Sequence, residues 1–213
     1  MSTADTRLEL TIDVVALPAQ RALALASLTP PELVAAALAE FRELAYLGDQ
    51  AADYQLLRAG GEPLDEERPL AAQLTGGERL ALAERPLAIP QGAAPLRHAL
   101  YLRERGGQVF RLPWAPAVIG RPDPGLAGNE LIAVNLSAHP AGQRVSRRHA
   151  QILERGGQYL VERLSPNPTA VVGNDGQTTP VEDAPVPIGH GDTLLLERSQ
   201  IALTFLVRDE TGQ

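Results

Sequence analysis

The chain has 213 residues, 19 basic against 26 acidic, and a formal net charge of −7, so it lacks the basic footprint of a nucleic-acid binder. It contains no cysteine, which excludes disulfides and thiolate metal sites and points to a reducing, cytoplasmic setting. The length suffices for two small domains, the N-terminus has no basic region followed by an apolar core, and no stretch approaches the roughly 20 apolar residues of a membrane span.

The charge divides unevenly, with 7 Arg and 14 acids in residues 1–95 and 12 of each in the remainder. Leu8, Leu10, Ile12 and Val14 alternate with polar residues, and Leu23 and Leu25 resume the pattern after a break at Pro18, Ala19 and Gln20, which predicts a hairpin. Thr29-Pro30-Pro31-Glu32 carries the N-cap, first-position proline and capping-box glutamate of a helix start. Leu33, Ala37, Phe41 and Leu44 recur at helical spacing and predict a helix to about Leu47, closed by Gly48. A strand at Tyr54 to Leu57, a Gly60-Gly61 turn, a Pro-bounded segment from Pro63 to Leu74 and a strand from Leu80 to Ala83 complete a β-β-α-β-β order.

The run from Tyr54 to Leu64 resembles the strand and turn of ubiquitin-like β-grasp domains, and Leu70 to Leu82 resembles their closing segment. This resemblance implies an α+β domain over residues 5–86 that docks a second, unidentified protein, as small bacterial domains of this kind do in assemblies. Conjugation would need a free Gly-Gly tail. This segment instead runs into Pro86, Pro90, Gln91, Gly92 and Pro95, a Pro-rich linker over residues 87–97.

Beyond Ala99 the texture changes to short apolar runs punctuated by Gly and Pro. They are Leu100 to Leu102, Val109-Phe110, Ala117 to Ile119, Leu131 to Val134, Ala150 to Leu153, Tyr159 to Val161, Val171-Val172, Leu194 to Leu196 and Ile201 to Val207. Many short strands with no helix among them predict an all-β antiparallel sandwich over residues 98–208.

Three blocks there, Ile119-Gly120-Arg121, Val145-Ser146-Arg147-Arg148-His149-Ala150 and Ser165-Pro166-Asn167-Pro168-Thr169, resemble the forkhead-associated (FHA) domain, and Gly189 to Leu194 resembles its late turn. Alone, Arg121 reads as a solvated arginine and Ser146 to His149 as an exposed basic turn; in this order on a strand-rich background they describe one module. A phosphothreonine dianion needs charge-assisted donors presented by rigid strands. Arg121 offers a planar guanidinium fork, Ser146 a hydroxyl, and Arg147 a charge or a backbone amide. The resemblance implies that Asn167 grips the ligand backbone, while Gly120, His149 and Thr169 support the loops.

The expectation is a non-enzymatic signalling adaptor that binds phosphothreonine segments of a serine/threonine kinase or its substrate, without cofactor. Ser146, His149 and Asp192 would be the members of a hydrolase triad, but the serine lacks a nucleophile-elbow context. His98, His139, His149 and His190 show no metal-ligand spacing. The alternative is a structural interaction protein with a degenerate, phosphate-independent sandwich. Pro166 stands where relatives carry a hydroxyl and Pro168 where they carry glycine, so a donor is missing at each.

Overall fold

Alternating apolar residues place Leu10, Ile12 and Val14 of β1 (Arg7–Val14) in a first core. The computed structural model describes residues 6–15 and 17–208, so residues 5 and 16 of the expected first domain lie outside the described residues. The chain divides into two units at Pro86/Leu87. In the first, β1, β2 (Leu17–Leu25), α1 (Pro30–Glu40), β3 (Tyr54–Arg58) and β4 (Arg79–Glu84) follow the expected order. The sheet runs β2-β1-β4-β3, with β1 and β4 parallel and both outer pairs antiparallel. Leu33, Val34, Ala37 and Leu38 of α1 pack into the same core as Leu56, Leu70 and Leu80.

Two local expectations are corrected. The hairpin turn falls at Val15, not at Pro18 to Gln20, which lie within β2. Val14 faces Leu17 and Ile12 faces Gln20, so β2 bulges there. As an edge strand it tolerates a proline, and the Ala19 N–H donates to Asp13 Oδ1 at 2.7 Å. This register turns Ala24 inward and leaves Leu23 57% exposed. The helix also ends at Glu40 rather than near Leu47. Its start is as expected, with the Thr29 N–H donating to the Glu32 carboxylate at 2.8 Å. Beyond Phe41, however, three-residue spacings replace the helical ladder, with Leu44 N–H to Phe41 O and Leu47 N–H to Leu44 O. Leu47 is still buried and Phe41 and Leu44 still pack on the core, so burial kept the helical pattern while the backbone left it.

The second unit starts with β5 (Ala94–Glu104), which takes Ala94 to Arg97 out of the expected linker: Ala94 and Pro95 pair with Ala115 and Trp114 of β6 (Val109–Ala115). There follow β7 (Ala117–Gly120), β8 (Ile132–Asn135), β9 (Arg148–Arg155), β10 (Gln158–Arg163), β11 (Thr169–Val172), β12 (Thr178–Pro180), β13 (Val186–Pro187), β14 (Thr193–Leu196) and β15 (Ile201–Arg208). One sheet runs β13-β10-β9-β7-β8 and the other β12-β11-β14-β15-β5-β6. Leu102, Ile119, Ala150, Val161, Leu194 and Phe205, all fully buried, bring both sheets into one core. One pair departs from the antiparallel expectation. β7 and β8 are parallel, because the segment 121–131 carries the chain back before β8 begins. The two short strands not foreseen, β12 and β13, contain Pro180 and Pro187 at sheet edges, where a missing N–H breaks no ladder.

Candidate functional site

Ile119 fixes the end of β7 in the core, and Gly120 follows under a steric constraint. A Cβ at Gly120 would overlap the Arg147 carbonyl, so the strand and the loop before β9 approach this closely only because residue 120 is glycine. The Arg121 N–H then donates to Arg147 O at 3.0 Å. Gly120→Ala is expected to lower stability by about 1–3 kcal/mol, read as a reduced denaturant midpoint.

The Arg121 side chain is steered by that same loop. Its Nε donates to Val145 O at 2.8 Å and its Nη1 to Gln143 Oε1 at 3.1 Å, so the fork is oriented while Nη2 has no partner among the described residues. Ser146 lies between the loops. Its hydroxyl donates to Ser165 Oγ at 2.9 Å and accepts from Asn167 Nδ2 at 2.8 Å. Ser165 is a hydroxyl that sequence reasoning did not assign. It stands beside Pro166, the position read as lacking one, and its place in the quoted third block was the available signal.

His149 is fully buried and joins these loops to the sandwich. Its Nδ1 accepts the Ser146 N–H at 3.2 Å, its Nε2 lies 3.1 Å from Thr169 Oγ1, and that hydroxyl donates to Asn167 O at 3.3 Å. The only tautomer that satisfies all three bonds is neutral with the proton on Nε2. Burial agrees, lowering the imidazole from its ordinary 6.5 to about 4.

The Arg147 side chain is exposed and pairs with Asp123 at 2.5 Å. Arg148, to which no role was assigned, donates to the carbonyls of Arg121, Arg147 and Ala127 and to Asn129 Oδ1, tying the loop after β7 to the start of β9. Nothing in the pair Arg147-Arg148 distinguishes the clamp from the ion pair before the fold is known. Pro168 gives no N–H, but its carbonyl accepts from Glu197 at 3.2 Å. Arg198 Nη1 then reaches Asn167 Oδ1 at 3.4 Å.

Three loops therefore carry these groups: Arg121 after β7 bonds Val145 and Gln143 of the loop before β9, and Ser146 of that same loop bonds Ser165 and Asn167 of the loop before β11. The residues of a hydrolase triad are not assembled. The Ser146 hydroxyl bonds Ser165 and Asn167 rather than His149, and the Asp192 carboxylate accepts from the backbone N–H groups of Gly189 and Asn174. Among the described residues no group of three His, Asp or Glu could hold a metal ion.

A family model described as the FHA domain matches residues 117–197. No curated protein matches the chain. Among solved structures, Mycobacterium tuberculosis EmbR in complex with a low-affinity phosphopeptide is 23% identical, over 54% of this chain and 26% of that one, with a TM-score of 0.40. The chain thus spans about a quarter of the length of that protein. The FHA domain of human APLF in complex with an XRCC1 bisphospho peptide is 26% identical over 51% and 97% of the two chains, at a TM-score of 0.36. The FHA domain of an Arabidopsis thaliana hypothetical protein is 17% identical over 58% and 98%, at 0.41.

Proposed function

We propose, from the premise that residues 117–197 are an FHA domain, a family of phosphopeptide-recognition modules, that this chain is a non-enzymatic adaptor for phosphothreonine segments. The observation that carries the reading is the convergence of the oriented Arg121 fork, the Ser146 and Ser165 hydroxyls and the Asn167 amide, held by a neutral His149. In this reading Arg121 and the hydroxyls bind phosphate, Asn167 holds the ligand backbone, and Arg147 adds charge by sharing or leaving Asp123. Gly120, His149 and Thr169 keep the loops in place. The ligand is a phosphothreonine segment of a serine/threonine kinase or its substrate in the cytoplasm.

Residues 5–86 act in this reading as a ubiquitin-like docking domain for a second protein. The parallel pairing of β1 with β4 beside two antiparallel outer pairs, with one helix packed on the sheet, supports it. Charged hydrogen bonds of about 1.5–3 kcal/mol each make a micromolar complex, near −8 kcal/mol, attainable with three of them. The test is titration of the full chain with a library of phosphothreonine peptides and their unphosphorylated and phosphoserine counterparts, followed by fluorescence anisotropy. Binding is expected for phosphothreonine alone, with a loss of about a hundredfold without phosphate. Equal binding of all three versions would support the alternative, a scaffold that has lost phosphate recognition, which the occupied Arg147 and the missing Pro168 N–H favour.

A further inference from the structure

Outside the donor cluster, one cation stands at its edge with its charge unspent. Arg198 lies in the turn between β14 and β15, and that turn is fixed beside the third loop by the Glu197 N–H bond to Pro168 O at 3.2 Å. The side chain is exposed, and its one hydrogen bond among the described residues is the 3.4 Å contact from Nη1 to Asn167 Oδ1, a neutral acceptor. Among the described residues no carboxylate pairs with it, that of Glu197 included. Its neighbours differ. Arg121 is held by Val145 and Gln143, Arg147 by Asp123, Arg148 by four oxygens, and Arg163 lies 3.5 Å from Asp183.

The position of this charge matters because Asn167 connects the two sides of the cluster. Its Nδ2 donates to the Ser146 hydroxyl while its Oδ1 accepts from Arg198, so the guanidinium stands one amide away from that hydroxyl. A peptide whose backbone is held at Asn167 in extended form advances about 3.3 Å per residue, so a side chain one to three residues from the phosphothreonine is within the span of a guanidinium bonded to Asn167 itself. A guanidinium with five donors and one long bond to a neutral oxygen gains by exchanging it for an oxyanion.

We infer that Arg198 makes the site selective for phosphothreonine peptides carrying a second anionic group, a carboxylate or another phosphate, within three residues of the phosphothreonine. The inference rests on the phosphothreonine reading and names the class of ligand within it. Arg198 is a specificity residue here, and holding Asn167 is the competing, merely positioning role.

The experiment uses the full chain and a phosphothreonine core peptide whose flanking positions carry alanine, aspartate, phosphoserine or lysine in turn. Because the pair is exposed, titrations are made at low salt. The wild-type protein is expected to prefer aspartate or phosphoserine over alanine by about three- to tenfold at one flanking position. Their ranking tells a carboxylate from a phosphate ligand. Arg198→Ala removes that preference while leaving the alanine peptide within about twofold, and Arg198→Glu reverses it toward lysine. An equal loss on every peptide in Arg198→Ala would assign the residue to positioning Asn167 and overturn the inference, as would an unchanged preference. If the wild type binds the alanine peptide equally with and without phosphate, the phosphothreonine reading itself fails and the inference falls with it.

Discussion

Arg121→Ala is expected to weaken binding of a phosphothreonine peptide by about a hundredfold or more, since two charge-assisted bonds of roughly 1.5–3 kcal/mol each are lost. The fold of the sandwich should survive, because the backbone bond from the Arg121 N–H to Arg147 O does not depend on the side chain. Arg121→Lys is the sharper control. A lysine keeps the charge, but it cannot donate to Val145 O and Gln143 Oε1 while presenting a planar edge to phosphate. An affinity for the lysine variant between those of the wild type and the alanine variant would show that orientation contributes beyond charge. Isothermal titration with one peptide measures all three proteins. Wild-type affinity in Arg121→Ala would remove Arg121 from the phosphate site.

The second large effect is on stability in acid. His149 is neutral in the folded protein, with its imidazole lowered to about 4 by burial, whereas in the unfolded chain it titrates near 6.5. Between those values the unfolded state binds a proton that the folded state refuses, so stability is complete above pH 6.5 and declines as the pH falls toward 4. The total loss is on the order of 3 kcal/mol. Trp114, the single tryptophan of the chain, lies in β6 and is 8% exposed, so its fluorescence follows unfolding of the sandwich alone. His149→Gln should be less stable at neutral pH and should lose this part of the acid dependence. An identical decline in the variant would place the titrating group elsewhere.

Much of the architecture was legible because burial and turn chemistry leave short-range marks. Alternation revealed β1, the capping residues revealed the start of α1, and apolar runs bounded by Gly and Pro revealed the longer strands of the sandwich. What was missed depended on partners distant in sequence. The outward turn of Leu23 follows from a bulge opposite Asp13, and the early end of α1 from a backbone that keeps Leu44 and Leu47 packed without helical bonds. In the candidate site, the residues quoted from the three blocks converge, yet two of the structural facts could not be read from spacing. Arg148 rather than Arg147 clamps the loops, and Ser165 supplies a hydroxyl beside the proline that had suggested one was absent.

The pairing of β5 with β15, in which Leu102 faces Phe205, also bears on how the protein is made. During translation every residue of the donor cluster emerges before β15, but the sheet that holds the third loop cannot complete itself until that strand arrives. The nascent segment from β5 onward therefore waits with its core unsealed, as the first unit does until β4 joins β1. A message cut short after Leu196 would encode Arg121, Ser146, Ser165 and Asn167 but leave β14 and β5 without the strand that joins them.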